Sequence, residues 1–354
     1  MKTQEVASIK NSTIILALAL AVTAIAGWEM YCRSLGYEAN PNDDKHLWAE
    51  HRAQLDDLTS DDVTIIGSSR VMFNFQQEQW KEAHGKKPLM LAAAGSSVMP
   101  VLRDVVKNSD FAGTLVVGVT PPLFFVPPSM DVIPFARIQT WVDHALDRTY
   151  ADRFNHFIAV NSTQQAFSFL TTSNEVFYNE LDLRTMLEQI PLPQRLPGPP
   201  KFPILYQVDR DRNVHLVKHV LEDPDYAGMV TQFWSAVFQP PPGTEPAPEI
   251  VEENRKAIIG ETSELLAEFK ARGGKVILVR CPSQSGVRDI EATFYPRADY
   301  WDALVNAVDA PAYHFEDHPF MNRYELPEWS HLATEDAKQF TLDFVEKAKA
   351  DKAL

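Results

Sequence analysis

The chain has 354 residues, of which 45% are apolar, 10% aromatic and 23% charged. That globular composition excludes wholesale disorder, a collagen-like fibre and a multispanning membrane protein. Its 48 acids against 33 Lys and Arg leave a formal charge of −15, which disfavours nucleic-acid binding, because that needs a basic surface to displace counterions.

The first predicted element is a single membrane span. Residues 13–28 (TIILALALAVTAIAGW) carry no charge; Lys2 and Lys10 precede them, and Glu29 and Arg33 follow. Extended through Met30 and Tyr31, the run reaches the length that crosses a bilayer, about 20 residues. The positive flank stays in the cytoplasm. Residues 1–35 are therefore expected to be a cytoplasmic tail and signal-anchor helix in the inner membrane, with 36–354 an extracytoplasmic domain. A bacterial periplasm fits best. Trp28 and Tyr31 suit the interfacial belt of an anchor; Ala24-Ile25-Ala26 resembles a cleavage site, and a cleaved signal peptide is the competing reading.

From residue 61 onwards short apolar runs alternate with helical patterns. Residues 63–66, 89–92, 114–117 and 275–279 are near-continuous apolar runs, and 313–315 is a short fifth. Runs of this kind suit parallel strands covered on both faces. Helices are predicted over 100–107, 249–272 (stopped by Gly273-Gly274) and 334–349. The alternation predicts an α/β fold with a parallel sheet. Residues 129–248 break the rhythm. They hold helical stretches at 137–147 and 214–221, and proline-rich stretches at 191–203 (six prolines) and 240–248 (five prolines), which are expected to be extended loops. This stretch reads as an insertion capping the C-terminal edge of the sheet, where ligands bind in open α/β sheets.

Two short motifs carry the chemistry. Gly67-Ser68-Ser69-Arg70 follows the first strand and precedes a helix, so a serine hydroxyl sits beside free backbone N–H groups that can stabilise an oxyanion. Alone, the motif is equally a capped helix start. Glu328-Trp329-Ser330-His331 precedes the last helix. A carboxylate three residues before a histidine can orient the imidazole, leaving its other nitrogen to take a serine proton.

Taken together and in this order, these blocks resemble the SGNH (GDSL-type) hydrolase superfamily. Gly67-Ser68-Ser69 is similar to its Gly-Asp-Ser block, the run from Met90 to Ser97 to its second block, and Glu328-Trp329-Ser330-His331 to its terminal Asp-x-x-His block. The segment Leu47-Trp48-Ala49-Glu50-His51-Arg52, between the span and Gly-Ser-Ser-Arg, resembles the membrane-anchored bacterial branch. The likeness covers roughly 47–126 and 249–349. It implies a flavodoxin-like three-layer sandwich, Ser69 as nucleophile, His331 as general base, Glu328 as its orienter, and the N–H groups of Ser69 and Gly95 as oxyanion donors. The chain departs from the family where Ser68 replaces Asp and Met90 replaces Asn. In the third block Gly118-Val119-Thr120-Pro121-Pro122 lacks the usual Asn, which leaves Thr120 as the polar side chain there.

Other residues are candidates beside these. Arg70 and Arg280 are placed at the sheet edge, either binding an anionic substrate group or pairing with carboxylates. Ser283, Gln284 and Ser285 are candidates to line the pocket. His215 with His219, and His314 with His318, have i, i+4 spacing but no third ligand, and no metal or other cofactor is expected. Cys281 reads as a small buried hydrophobe. With only Cys32 beside it, the chain has too few thiols for a disulfide framework. The leading expectation is an extracytoplasmic serine esterase or acyltransferase acting on an envelope or carbohydrate ester. The alternative is a non-catalytic SGNH-like envelope protein that binds glycan or assists its export. A phosphate-binding module at Gly67 lacks the glycine and lysine spacing of a P-loop.

Overall fold

A computed structural model describes residues 10–170, 175–176, 202–238, 243 and 245–354. In chain order the first elements are α1 (Asn11–Ser34), α2 (Lys45–Arg52), β1 (Val63–Ile66), α3 (Ser69–Asn74), α4 (Gln77–His84), β2 (Leu89–Met90), α5 (Met99–Lys107), β3 (Thr114–Gly118) and the short α6 (Pro121–Phe124). Then come α7 (Ile133–Leu146), α8 (Tyr150–Ile158), α9 (Gln164–Ala166), β4 (Glu175–Val176), β5 (Phe202–Pro203), β6 (Tyr206–Val208), β7 (Val214–Leu216), α10 (Lys218–Glu222) and α11 (Pro224–Val237). The last are α12 (Pro248–Ala271), β8 (Lys275–Arg280), α13 (Ser285–Phe294), α14 (Ala303–Val308), β9 (Ala312–His314) and α15 (Thr334–Ala350).

The fold is α/β. Strands β2-β1-β3-β8-β9 form, in that spatial order, a five-stranded sheet in which every pairing is parallel. The apolar runs read from the sequence are these strands. Continuous apolar runs are needed because both faces are covered. Val63 and Ile65 of β1, Val116 of β3 and Ile277 and Val279 of β8 join one core cluster with Phe73 of α3, Trp80 of α4 and Phe340 and Phe344 of α15. Ile66, Leu115, Val117, Val276 and Leu278 point the other way, into a cluster with Leu102 and Val105 of α5, Leu265, Leu266 and Phe269 of α12, and Leu304 of α14. The ends of β1 and β3 come unusually close. A Cβ on Gly118 would lie 2.4 Å from Val71 Cγ1, and one on Gly67 would lie 3.0 Å from the Gly118 Cα. Gly67 also has φ +145°, a conformation that side chains disfavour.

β2 is shorter than its apolar run, although the Leu91 and Ala93 N–H groups still donate to the Ile65 and Gly67 carbonyls of the neighbouring chain segment. It is an edge strand, and carbonyls at and just past its end are met by side chains. Arg212 donates to the Met90 and Ala92 carbonyls at 2.8 and 2.9 Å, and Trp48 Nε1 to the Leu91 carbonyl at 2.9 Å. Arg212 is wholly buried and ion-paired to Asp43 at 2.8 Å. An edge that would otherwise invite strand pairing is thus closed by the chain itself. The Leu-Trp-Ala-x-x-Arg segment is α2, capped by Asp44, with Leu47 and Trp48 buried and Arg52 paired to Asp104 at 2.9 Å.

α1 contains an 18-residue window of mean hydropathy 1.9, none of it buried against the protein. It is long and apolar enough to cross a membrane as a single N-terminal span. At its end Glu29 accepts the N–H groups of Ser168 and Phe169 at 3.0 and 3.3 Å.

The helix expected over 214–221 is corrected. Val214–Leu216 is a strand, antiparallel to Tyr206–Val208, with Val214 and Leu216 facing inward, and α10 begins only at Lys218. Asp209 Oδ1 closes the hairpin by accepting the N–H groups of Asp211 and Asn213, both at 2.9 Å. His215 and His219 therefore lie on different elements, and His314 sits on a strand with His318 in the turn beyond it. Among the described residues no group of three or more His, Cys, Asp and Glu could hold a metal ion. Of the proline-rich stretches, 191–201, 240–242 and Thr244 lie outside the described residues; Phe202–Pro203 is a short strand paired with Glu175–Val176.

Candidate active site

β1 ends at Gly67, and Ser69 opens α3 while Ser68 is its N-cap. The turn sends the two hydroxyls in different directions. Ser68 is buried and donates to Thr120 Oγ1 at 2.7 Å, across to the loop after β3. Ser69 is half-buried, and its Oγ lies 2.8 Å from His331 Nε2. The other ring nitrogen, Nδ1, lies 2.8 Å from Glu328 Oε1. Glu328 Oε1 also accepts the His331 backbone N–H at 2.6 Å, and Oε2 accepts Trp234 Nε1 at 2.5 Å. Three donors converge on this carboxyl, which suits an ionised, acceptor-only group. Nδ1 then carries the ring proton, and Nε2 is left to accept from Ser69. His331 and Glu328 are both 0% exposed, so the relay is screened from water on the histidine side and open at the serine.

The short helix α3 braces the terminal loop with side chains at i, i+3 and i+4. Arg70 Nε donates to Ser330 Oγ at 3.2 Å, the Phe73 ring lies 4.2 Å from the His331 ring, and Asn74 Oδ1 accepts the Leu332 N–H at 3.4 Å. From the other side the loop is clamped by Gln284, which donates to the Tyr324 carbonyl at 2.6 Å and accepts the Leu326 N–H at 2.9 Å. Within the loop Trp329 has φ +71°, a left-handed backbone unusual for an aromatic residue. Such strain persists only where the surroundings impose it.

The remaining sequence candidates resolve differently. Arg70 and Arg280 meet a carboxylate of the chain rather than open solvent. Arg70 Nη2 is 2.7 Å from Glu291 Oε1, and Arg280 Nη2 pairs with Glu291 Oε2. The three residues are 1%, 2% and 0% exposed, so of the two roles open to both arginines the structure shows the pairing with a carboxylate. Burial pushes the Glu291 carboxyl up, but the charges of Arg280 and Arg70 outweigh it and hold it down to about 2. Burial draws Arg280 down to about 10 against the pull of Glu291. Ser283 belongs to the same cluster, donating to Glu291 Oε2 at 2.6 Å, so Ser283 and Gln284 act as braces rather than pocket lining. Ser285 opens α13. Burial pushes the Cys281 thiol up to about 12, which suits the packing role read for it. Thr120 is engaged by Ser68. Gly95 lies in the loop after β2 with φ +63°, and its N–H donates to no group among the described residues. The next-door Ala94 carbonyl accepts from Arg137 Nη1 at 2.7 Å.

Two side chains from between β3 and β8 reach this edge, Arg137 of α7 and Trp234 of α11. Trp234 is the site residue that no local pattern revealed, because its partner lies 94 positions away. The relay sits at the carboxyl ends of β1 and β3, from which β2 lies to one side and β8 to the other; this is where ligands bind in open parallel sheets. Comparison with protein-family models, curated proteins and solved structures finds no match to this chain.

Proposed function

We propose that the chain is a membrane-anchored, extracytoplasmic SGNH-like serine esterase or acyltransferase, acting on an envelope or carbohydrate ester. The single observation that supports it most is the continuous relay from Ser69 Oγ through the His331 ring to Glu328, with both contacts at 2.8 Å. In this reading residues 36–354 are a flavodoxin-like three-layer domain held outside the inner membrane by α1, with the insertion lying over the site.

Ser69 Oγ attacks the ester carbonyl carbon as its proton passes to His331 Nε2, and Glu328 stabilises the imidazolium. The N–H groups of Ser69, at the first helical position, and of Gly95 receive the developing oxyanion. Collapse breaks the ester C–O bond. His331 returns the proton to the departing alcohol, and the acyl group stays on Ser69. A water or an acceptor hydroxyl, deprotonated by His331, then takes the acyl group, and His331 returns that proton to Ser69 Oγ as the acyl–serine bond breaks.

A fluorophosphonate probe tests this on the full chain in detergent micelles. The wild type should be labelled, Ser69→Ala should not, and His331→Ala should be labelled at least about 100-fold more slowly, the scale of general-base assistance. Labelling that survives Ser69→Ala and vanishes in Ser68→Ala reassigns the nucleophile. One observation favours the non-catalytic alternative: Thr120 is tied to Ser68 and the next two residues are prolines without an N–H, so the loop after β3 offers a meagre third oxyanion donor. A folded wild type that neither takes the probe nor cleaves p-nitrophenyl acetate decides for that alternative.

A further inference from the structure

The acceptor oxygens of Glu328 divide unevenly between local and distant donors. Oε1 takes both donors of His331. Oε2 faces Trp234 Nε1 at 2.5 Å. Because Glu328 is wholly buried, losing the indole donor would leave Oε2 without a donor among the described residues, and a buried anionic oxygen without a partner is strongly disfavoured. The carboxylate would then turn or take up a proton, and either change releases the imidazole. The indole is itself held. It stacks on Phe238 at 5.2 Å and 11°, and its ring lies 6.0 Å from that of His331, which Phe73 covers from another direction at 4.2 Å. Trp234 belongs to α11, which lies within the segment inserted between β3 and β8.

We propose that Trp234 is a positioning residue for the relay: its indole N–H fixes Glu328, so that alignment of His331 with Ser69 depends on the docked inserted segment. The inference rests on the serine-hydrolase reading above and adds that the insertion is part of the catalytic unit, beyond any covering role.

The test measures fluorophosphonate labelling of the full chain against probe concentration and pH. The variants are Trp234→Phe, Trp234→His, Glu328→Ala and the two double variants that combine Glu328→Ala with Trp234→Phe or with Trp234→His. Trp234→Phe keeps an aromatic ring and removes the donor. Its maximal labelling rate should fall about 10-fold, about 1.4 kcal/mol, with the half-saturating probe concentration unchanged. The acid limb of its rate profile should move to lower pH, because an imidazolium whose carboxylate has turned away or been neutralised loses its counter-charge. Trp234→His, which restores a ring N–H, should recover part of the rate. In the Glu328→Ala background Trp234→Phe should have no further effect, since coupled residues are non-additive. An unchanged rate and profile in Trp234→Phe overturns the inference. So does an equal fold-loss with and without Glu328, which would make Trp234 packing alone. If Trp234→Phe melts well below the wild type, the comparison of Trp234→His in the two Glu328 backgrounds decides by the same criterion. An unlabelled wild type sinks the serine-hydrolase reading and this inference together, whereas a labelled wild type with an unaffected Trp234→Phe sinks only the inference.

Discussion

Replacing Glu291 by Gln should be among the most damaging conservative changes in the molecule. Glu291 is 0% exposed and is the shared counter-charge of two arginines that are themselves 1% and 2% exposed. The amide leaves both guanidinium groups buried without an anion, and breaking a buried pair in this one-sided way costs about 3–5 kcal/mol. Ser283 also loses its charged acceptor, which keeps the expectation in the upper half of that range. For a chain of this size the loss corresponds to a fall in Tm of about 5–7 °C. Because Arg70 also braces Ser330 beside His331, the labelling rate of Ser69 should fall too. The assay is urea and thermal unfolding of the full chain in micelles, wild type against variant. A triple replacement, Arg70→Met, Arg280→Met and Glu291→Leu, separates charge from shape. Removing the whole buried cluster for apolar groups should recover most of the stability. The pH dependence has a defined sign. Glu291 titrates near 2 in the fold against 4.5 ordinarily, so its contribution is full above about 4.5 and is lost as pH falls towards 2. The Gln variant should lack that part of the acid slope. A midpoint within about 1 kcal/mol of the wild type at neutral pH, where a buried uncompensated charge should cost several times more, would refute the reasoning.

Three further outcomes are expected. Arg212→Met should destabilise by about 3 kcal/mol, since it strands buried Asp43, and should speed amide exchange around Leu91 and Ala93 as the β2 edge loosens; unchanged exchange would show that the edge needs no cover. Gly286→Ala brings a Cβ to 2.7 Å from the Trp329 ring and should slow Ser69 labelling by displacing the Glu328–His331 loop, an idea that fails if labelling proceeds at the wild-type rate. His314 is driven down to about 3 by burial and by the charge of Arg280; stability should therefore fall as pH drops from about 6.5 towards 3, where the unfolded chain binds the proton and the fold resists it, and a His314→Gln variant with an undiminished slope would exclude His314 as its source.

Local sequence determined the parts whose physics is local. A strand covered on both faces must be apolar at consecutive positions, so 63–66, 114–117 and 275–279 were legible as strands, and the sheet they form is parallel. A helix long and apolar enough to cross a membrane needs an unbroken uncharged run, so α1 was legible as well. Ser69, Glu328 and His331 were visible because each motif is short, and their resemblance to a known pair of blocks supplied a link that spacing alone does not contain. The tertiary structure decided everything that depends on who meets whom. Val214 and Leu216 are spaced by two, compatible with a strand, but the reading of a helix gave way only because Tyr206–Val208 lies alongside to pair with them. Arg70 and Arg280 carry the same charge at any surface; it took the approach of Glu291 on α13 to turn them from candidate anion binders into a buried brace. Trp234 lies outside every motif and every helix expected from the sequence, in a stretch with Tyr226, Phe233 and Phe238 nearby. Its indole N–H finds Glu328, 94 positions away, only once α11 has packed beside the terminal loop, and no periodicity in the chain carries that contact.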